Sequence, residues 1–329
     1  MIKSIFHILP LCLMIACGLA GCSKPNKAAE PPPKPVAEAV DPNQPVTIKL
    51  KWIVDKKYLF RMETLLGLNT TLPEPLDPKT NVIGLNHDYS VSVAKSLDSA
   101  GPELDLAMTA EKLFYQMAER NYYTFDSRQN IVHDTNDPVS PLLRGLLDGR
   151  LRCFTDTDGK LVKVQGFDAI TARLDKGDPQ IKGPLEAIFS EKNFREIFDS
   201  IAAAQPADPV KIGGTWPVHV ELEAPTIAGV IINATCTPAE WESQGDRQCV
   251  RLEFQGHVTA KPDAPGESSL STIDDGTISG KAWFDPALGM VVNSRVEEHM
   301  TVKTSALGQK ATTRVNVTAN LQLLSLEDK

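Results

Sequence analysis

The sequence lacks the short patterns that announce most enzymes. It contains no G-x-S-x-G elbow, no H-E-x-x-H zinc pair, no glycine-rich phosphate loop and no C-x-x-C pair. Hydrolase, metalloprotease, nucleotide-binding and thiol-redox chemistries therefore have no local signature. Basic charge is also in short supply: 34 Lys and Arg stand against 42 Asp and Glu, a net charge of −8. No basic face is available in bulk to neutralise phosphates, so nucleic acid is excluded as an expected partner, and an anionic membrane surface would repel the chain. Any membrane attachment must then be apolar or covalent.

The first residues offer such an attachment. A short positive start, Met1-Ile2-Lys3, leads into the apolar run "SIFHILPLCLMIACGLAG", which ends in small residues as a secretory signal does. The run sits at the lower limit of about 17–20 residues for spanning, contains Pro10 and is followed by no basic stop-transfer block, all of which argue against a transmembrane anchor. Leu19, Ala20, Gly21 and Cys22 resemble the lipobox of bacterial lipoproteins. The resemblance implies that signal peptidase recognises Leu19-Ala20-Gly21 at the end of a 1–21 signal peptide. It also implies that Cys22 carries diacylglyceryl and acyl (palmitate-type) chains. Several chains on one residue anchor stably where a single chain is marginal, each buried CH2 contributing about 0.8 kcal/mol. The expected location is the cell envelope, membrane-anchored. In a Gram-negative cell that means the outer membrane or periplasm, since Ser23 rather than Asp follows the cysteine. Residues 22–45 are proline-rich with almost no large apolar side chains, and read as an extended tether.

From about Val46 onward, alternation predicts mainly β structure. "KYLFRME" at 57–63, "DYSVSV" at 88–93, "LDLAMT" at 104–109, "YYTFDS" at 122–127 and "LRCFTDTDGKLVKV" at 151–164 form a first series, the last with a turn at Asp158-Gly159. "TWPVHVEL" at 215–222, "GVIINATC" at 229–236, "CVRLEFQGHVTA" at 249–260, "ISGKAWFD" at 278–285, and the runs 290–304 and 312–324 form a second. The inward sets of the last two are Val292, Val296, Met300 and Val302, then Val315, Val317, Ala319, Leu321 and Leu323. Between the series Ser190 caps "EKNFREIFDSIAAA", whose Phe194, Ile197, Phe198 and Ile201 share one helical face before Pro206 ends the run. Shorter helices are predicted at "SPLLRGLLDG" and "FDAITARL". The fold class is mainly β, with antiparallel curved sheets forming a barrel, a half-barrel or two related β units. The expected division is a first β unit at 46–180, a helical insert at 181–210 with its helix near 190–204, and a second β unit at 211–329. "KKYLFRME" matches "GTWPVHVE", and "GRLRCFTDTDGKLVKV" matches "GKAWFDPALGMVVNSRV", which suggests an internal repeat.

Three cysteines remain after Cys22. Cys236 and Cys249 flank a polar stretch with turn residues at its tip, and export permits a disulfide between them. Against it, Val230, Ile232 and Ala234 are in phase with Cys236 while Val250, Leu252 and Phe254 are out of phase with Cys249, so direct pairing needs a bulge. Cys153 reads as a buried apolar residue. His219, His257 and His299 fall on outward phases of separate strands without metal-ligand spacing, so no metal site is expected. "DTDG" at 156–159 and "DDG" at 274–276 read as turns rather than calcium loops, and Asp126-Ser127 as a strand end rather than a catalytic dyad.

Taken in order, "KYLFRME", "FDS", "GKLVKVQG", "FSEKNFREIF" and "VKIGGTWP" resemble an exported bacterial lipoprotein family described only as a domain of unknown function. The resemblance implies an all-β exported domain and no assigned catalytic residue. The expected function is a non-enzymatic binding or structural role in the envelope, with no cofactor and with an apolar ligand or an envelope protein as partner. The alternative is an extracytoplasmic enzyme whose residues meet only in space.

Overall fold

The computed structural model describes residues 44–73, 76–117, 120–129, 140–147, 149–174, 190–222, 229–262, 271–306 and 309–329. The signal, the lipobox with Cys22, nearly all of the tether, and His133 lie outside the described residues. The elements in chain order are β1 (Lys56–Thr71), β2 (Lys79–Ala94), β3 (Glu103–Met117), β4 (Arg120–Asp126), α1 (Ser140–Leu147), β5 (Arg150–Thr155), β6 (Leu161–Gln165), α2 (Phe167–Leu174) and α3 (Glu191–Ala203). The rest are strands: β7 (Trp216–Leu222), β8 (Val230–Gln244), β9 (Arg247–Ala260), β10 (Ser271–Asp285), β11 (Met290–Ala306) and β12 (Gln309–Asp328).

All twelve strands belong to one open, curved antiparallel sheet with the order β6-β5-β3-β2-β1-β12-β11-β10-β9-β8-β7, and β4 pairs with β3 off this path. The two β series thus share one sheet, joined where the first strand pairs with the last, Lys56 opposite Asp328 through Thr71 opposite Thr312. Alternation produces a sided sheet. Tyr58, Phe60, Met62, Leu66 and Leu68 of β1 are buried, as are Val315, Val317, Ala319 and Leu321 of β12 and Val292, Val296, Met300 and Val302 of β11. These belong to one continuous core that runs the width of the sheet, and a single buried face on so wide a sheet requires the sheet to curl over it.

Helix α3 packs against both end strands of the sheet order, β6 and β7. Its N-cap forms as the sequence predicts: Ser190 Oγ accepts the Asn193 N–H at 3.2 Å. Phe194 meets Phe198 and Phe167 at ring-centroid distances of 5.0 and 5.7 Å. The indole N–H of Trp216 in β7 donates to the Ala204 carbonyl at 2.9 Å, holding the helix end to the sheet edge. Residues 46–53 form a strap that ties the pieces together. Val46 bridges Val210, the Leu50 N–H donates to Gln205 Oε1, and the Lys51 N–H donates to the Gly289 carbonyl. No described helix is long and apolar enough to cross a membrane.

Two sequence expectations change. Strand β8 runs on through "TPAEWESQ" to a hairpin tip at Gly245-Asp246, so the polar stretch is strand rather than loop. Asp274-Asp275-Gly276 is a bulge inside β10 rather than a turn, because the strand continues through it with a register shift.

Candidate functional site

The outward face of β7–β12 carries an ordered set of uncharged hydrogen-bonding side chains. Register places His219, Asn233, His257, Thr277, His299 and Asn316 opposite one another on six successive strands, in one straight row. All six are exposed. His219 Nδ1 and Asn233 Oδ1 are 2.7 Å apart, and His299 Nδ1 and Asn316 Oδ1 are 2.8 Å apart. The hydrogen bond to Asn233, with a smaller contribution from Glu221, raises the His219 pKa above the usual histidine value. A second row two residues along holds Thr235, Gln255 and Ser279.

Two open depressions of about 680 and 600 Å3 lie over the second row and over the first row from His219 to Thr277, and share Thr235, Gln255 and Ser279 in their floors. Charges at the second depression cancel in pairs: Lys281 Nζ is 3.5 Å from Glu253, and Arg295 is 2.7 Å from Glu297. The Trp283 indole borders its far end and donates to Glu242 at 2.6 Å. Such a floor offers donors and acceptors at the strand spacing of about 4.8 Å, interspersed with apolar surface.

The inward face carries a different anomaly. Among its apolar residues stand Thr64, His87, Glu111, Ser294 and Glu298, all buried. Thr64 Oγ1, both ring nitrogens of His87, Glu111 Oε2, Ser294 Oγ and both carboxyl oxygens of Glu298 have no hydrogen-bond partner among the described residues. His87 pairs in register with Glu111 across β2 and β3, and Nδ1 lies 3.6 Å from Oε2, outside hydrogen-bond reach. Glu298 sits between Ile278 and Val317 in register, with Val296 and Met300 on either side along β11. Burial alone pushes its carboxyl up to about 8. Leaving one such group unsatisfied costs about 1–3 kcal/mol. On the opposite face, Asp88 has its partners. Burial raises its pKa, but Arg61 (2.7 Å) and Arg128 outweigh that and hold it below the usual carboxylate range.

The cysteine pair is corrected. Cys236 and Cys249 are both free and buried. Cys236 stands opposite Phe254, whereas Cys249 stands opposite Glu242. The two are about 17 Å apart along the hairpin at about 3.4 Å per residue, far beyond disulfide reach. Cys153 is buried as expected, and burial pushes all three thiols up to about 12. No cluster of three or more His, Cys, Asp or Glu that could hold a metal forms among the described residues. The Asp156 carboxylate accepts the Asp158 and Lys160 N–H groups, and Asp126 accepts the Arg128 N–H, so both are turn-makers. Sequence reasoning treated the three outward histidines singly and missed that register aligns them. It also passed over Ser294 and Glu298, although both share the phase of Val292, Val296 and Met300.

Residues 102–291 match the family described as "Family of unknown function (DUF6263)". No curated protein matches the sequence. Among solved structures, the chain is similar to "Lipid-protein interactions in lipovitellin" at 8% identity and a TM-score of 0.45, over 84% of this chain and 26% of that one. It is also similar to the structure of Pseudomonas aeruginosa OpdQ at 7% identity and a TM-score of 0.26, over 83% of this chain and 100% of that one. The chain spans about a quarter of the lipovitellin chain.

Proposed function

We propose, for a chain that belongs to the DUF6263 family of unknown function, a non-enzymatic binding role at the cell envelope. Its contact surface is the outward face of β7–β12, and its ligand is an uncharged, hydroxyl-rich chain such as an envelope glycan. The observation that carries this reading is the pair of joined depressions over the His219–Thr277 and Thr235–Ser279 rows. Charge-cancelled walls disfavour phosphates and metal ions. The Leu19-Ala20-Gly21-Cys22 sequence supports acylation at Cys22, with the 22–45 tether holding the sheet off the membrane.

Retention on isolated peptidoglycan and on a panel of neutral glycans tests the ligand. The chain should be retained, and the Asn233→Ala/Gln255→Ala double variant should lose at least several-fold of that retention; absence of retention on every glycan rejects the reading. Replacing Cys22 with Ala should abolish palmitate labelling, and persistent labelling would reject the anchor.

A second reading, carriage of an apolar molecule inside the curl, is favoured by one observation. The buried face is almost wholly apolar, and α3 packs against both end strands of the sheet.

A further inference from the structure

The buried polar groups of the inward face lie on β1, β2, β3 and β11. Thr64, His87 and Glu111 lie on three adjacent strands, β1, β2 and β3, with His87 directly opposite Glu111 and Thr64 one diagonal step away. The cross-strand row through His87 continues through Met62 and Leu321 to Ser294 on β11, and Glu298 follows on the same strand. These five side chains trace a polar seam across an apolar wall, and each has at least one atom without a partner among the described residues. No lysine or arginine is buried among those residues. The seam therefore offers hydroxyls, an imidazole and two carboxyls, with no lysine or arginine to balance an incoming anion.

We propose that this seam is a binding site for an amphiphile with a long apolar chain and an uncharged, hydroxyl-bearing head group. The reading rests on apolar carriage inside the curl. The chain of the ligand lies against the core residues, and its hydroxyls supply the partners that Glu298, Ser294, Thr64 and the His87–Glu111 pair lack. A carboxylate or phosphate head is disfavoured because it would sit beside Glu111 with no lysine or arginine among the buried residues. The unpartnered atoms of the seam are shielded in this structure, so entry requires the packing over it to open; parting α3 from β7 would break the Trp216 to Ala204 hydrogen bond.

The test is native mass spectrometry of the full chain, purified from membranes in a short-chain sugar detergent, with monoolein and with oleate as probes. Wild type should take up one monoolein and no oleate. Glu298→Met removes a buried polar group that has no protein partner, so it should raise Tm while weakening monoolein binding roughly tenfold or more. Thr64→Val, which keeps shape, should act in the same directions and serves if the first variant fails to fold. If neither probe binds wild type, apolar carriage falls and the seam with it. If both probes bind alike, or the variants bind monoolein as wild type does, carriage stands and the seam is overturned. A fall in Tm in both variants would also overturn it, since the groups would then be serving the fold.

Discussion

At the scale of single residues, Glu298 makes the sharpest statement. Its carboxyl titrates near 8 in the folded chain and near the ordinary glutamate value when unfolded. The folded state therefore holds a proton that the unfolded state has released across that whole window. Stability is full below the ordinary glutamate range and falls as pH rises toward about 8, opposite to the usual salt-bridged carboxylate. We expect Tm by calorimetry to drop between about pH 5 and pH 8 through this group, and Glu298→Gln to flatten the slope; an equal slope in the variant would contradict the assignment. The thiols give a second expectation. Cys153, Cys236 and Cys249 are free and buried with pKa values near 12, so iodoacetamide at neutral pH should label none of them until denaturant is added. A reducible pair at 236 and 249 would refute the register of the β8–β9 hairpin.

At the scale of elements, alternation was the reliable guide. It located every described strand and the phase of β11 and β12, because one face of each strand is buried and a one-residue slip would expose it. Strand ends were less legible. β8 extends through Thr237-Pro238-Ala239, residues that read as loop, because a shift between Pro238 and Glu240 absorbs the proline while the ladder continues. The candidate site was not legible for a related reason. The order of strands in a sheet depends on contacts far apart in sequence, so His219, His257 and His299 could be assigned an outward phase but not a common row. Helix α3 was fully legible, from its cap to Pro206. Ser190→Ala should cost about 1 kcal/mol and lower Tm by roughly 2–4 °C for a chain of this size, read by thermal unfolding followed by circular dichroism. An unchanged Tm would mean that sheet contacts alone hold the helix.

At the scale of the whole molecule, the strand order carries the repeat suspected from the sequence. β1, β2, β3, β5 and β6 follow one another along the sheet in the same direction as β7, β8, β9, β10 and β11. The two matched hairpins also turn alike. Asp156 and Asp285 each accept two backbone N–H groups, and Gly159 and Gly289 supply the positive φ angles of +82° and +65° that a side chain would strain. Removing β5 and β6 should therefore leave a soluble, partly folded sheet, whereas removing β12 should abolish cooperative unfolding. Denaturant titration distinguishes the two, and a cooperative transition without β12 would show that the halves fold alone. The pairing of β1 with β12 has a further consequence for how the molecule comes into being. The first strand must wait for the last of the described strands, so until β12 arrives β1 keeps an unpaired edge open to pairing with another strand.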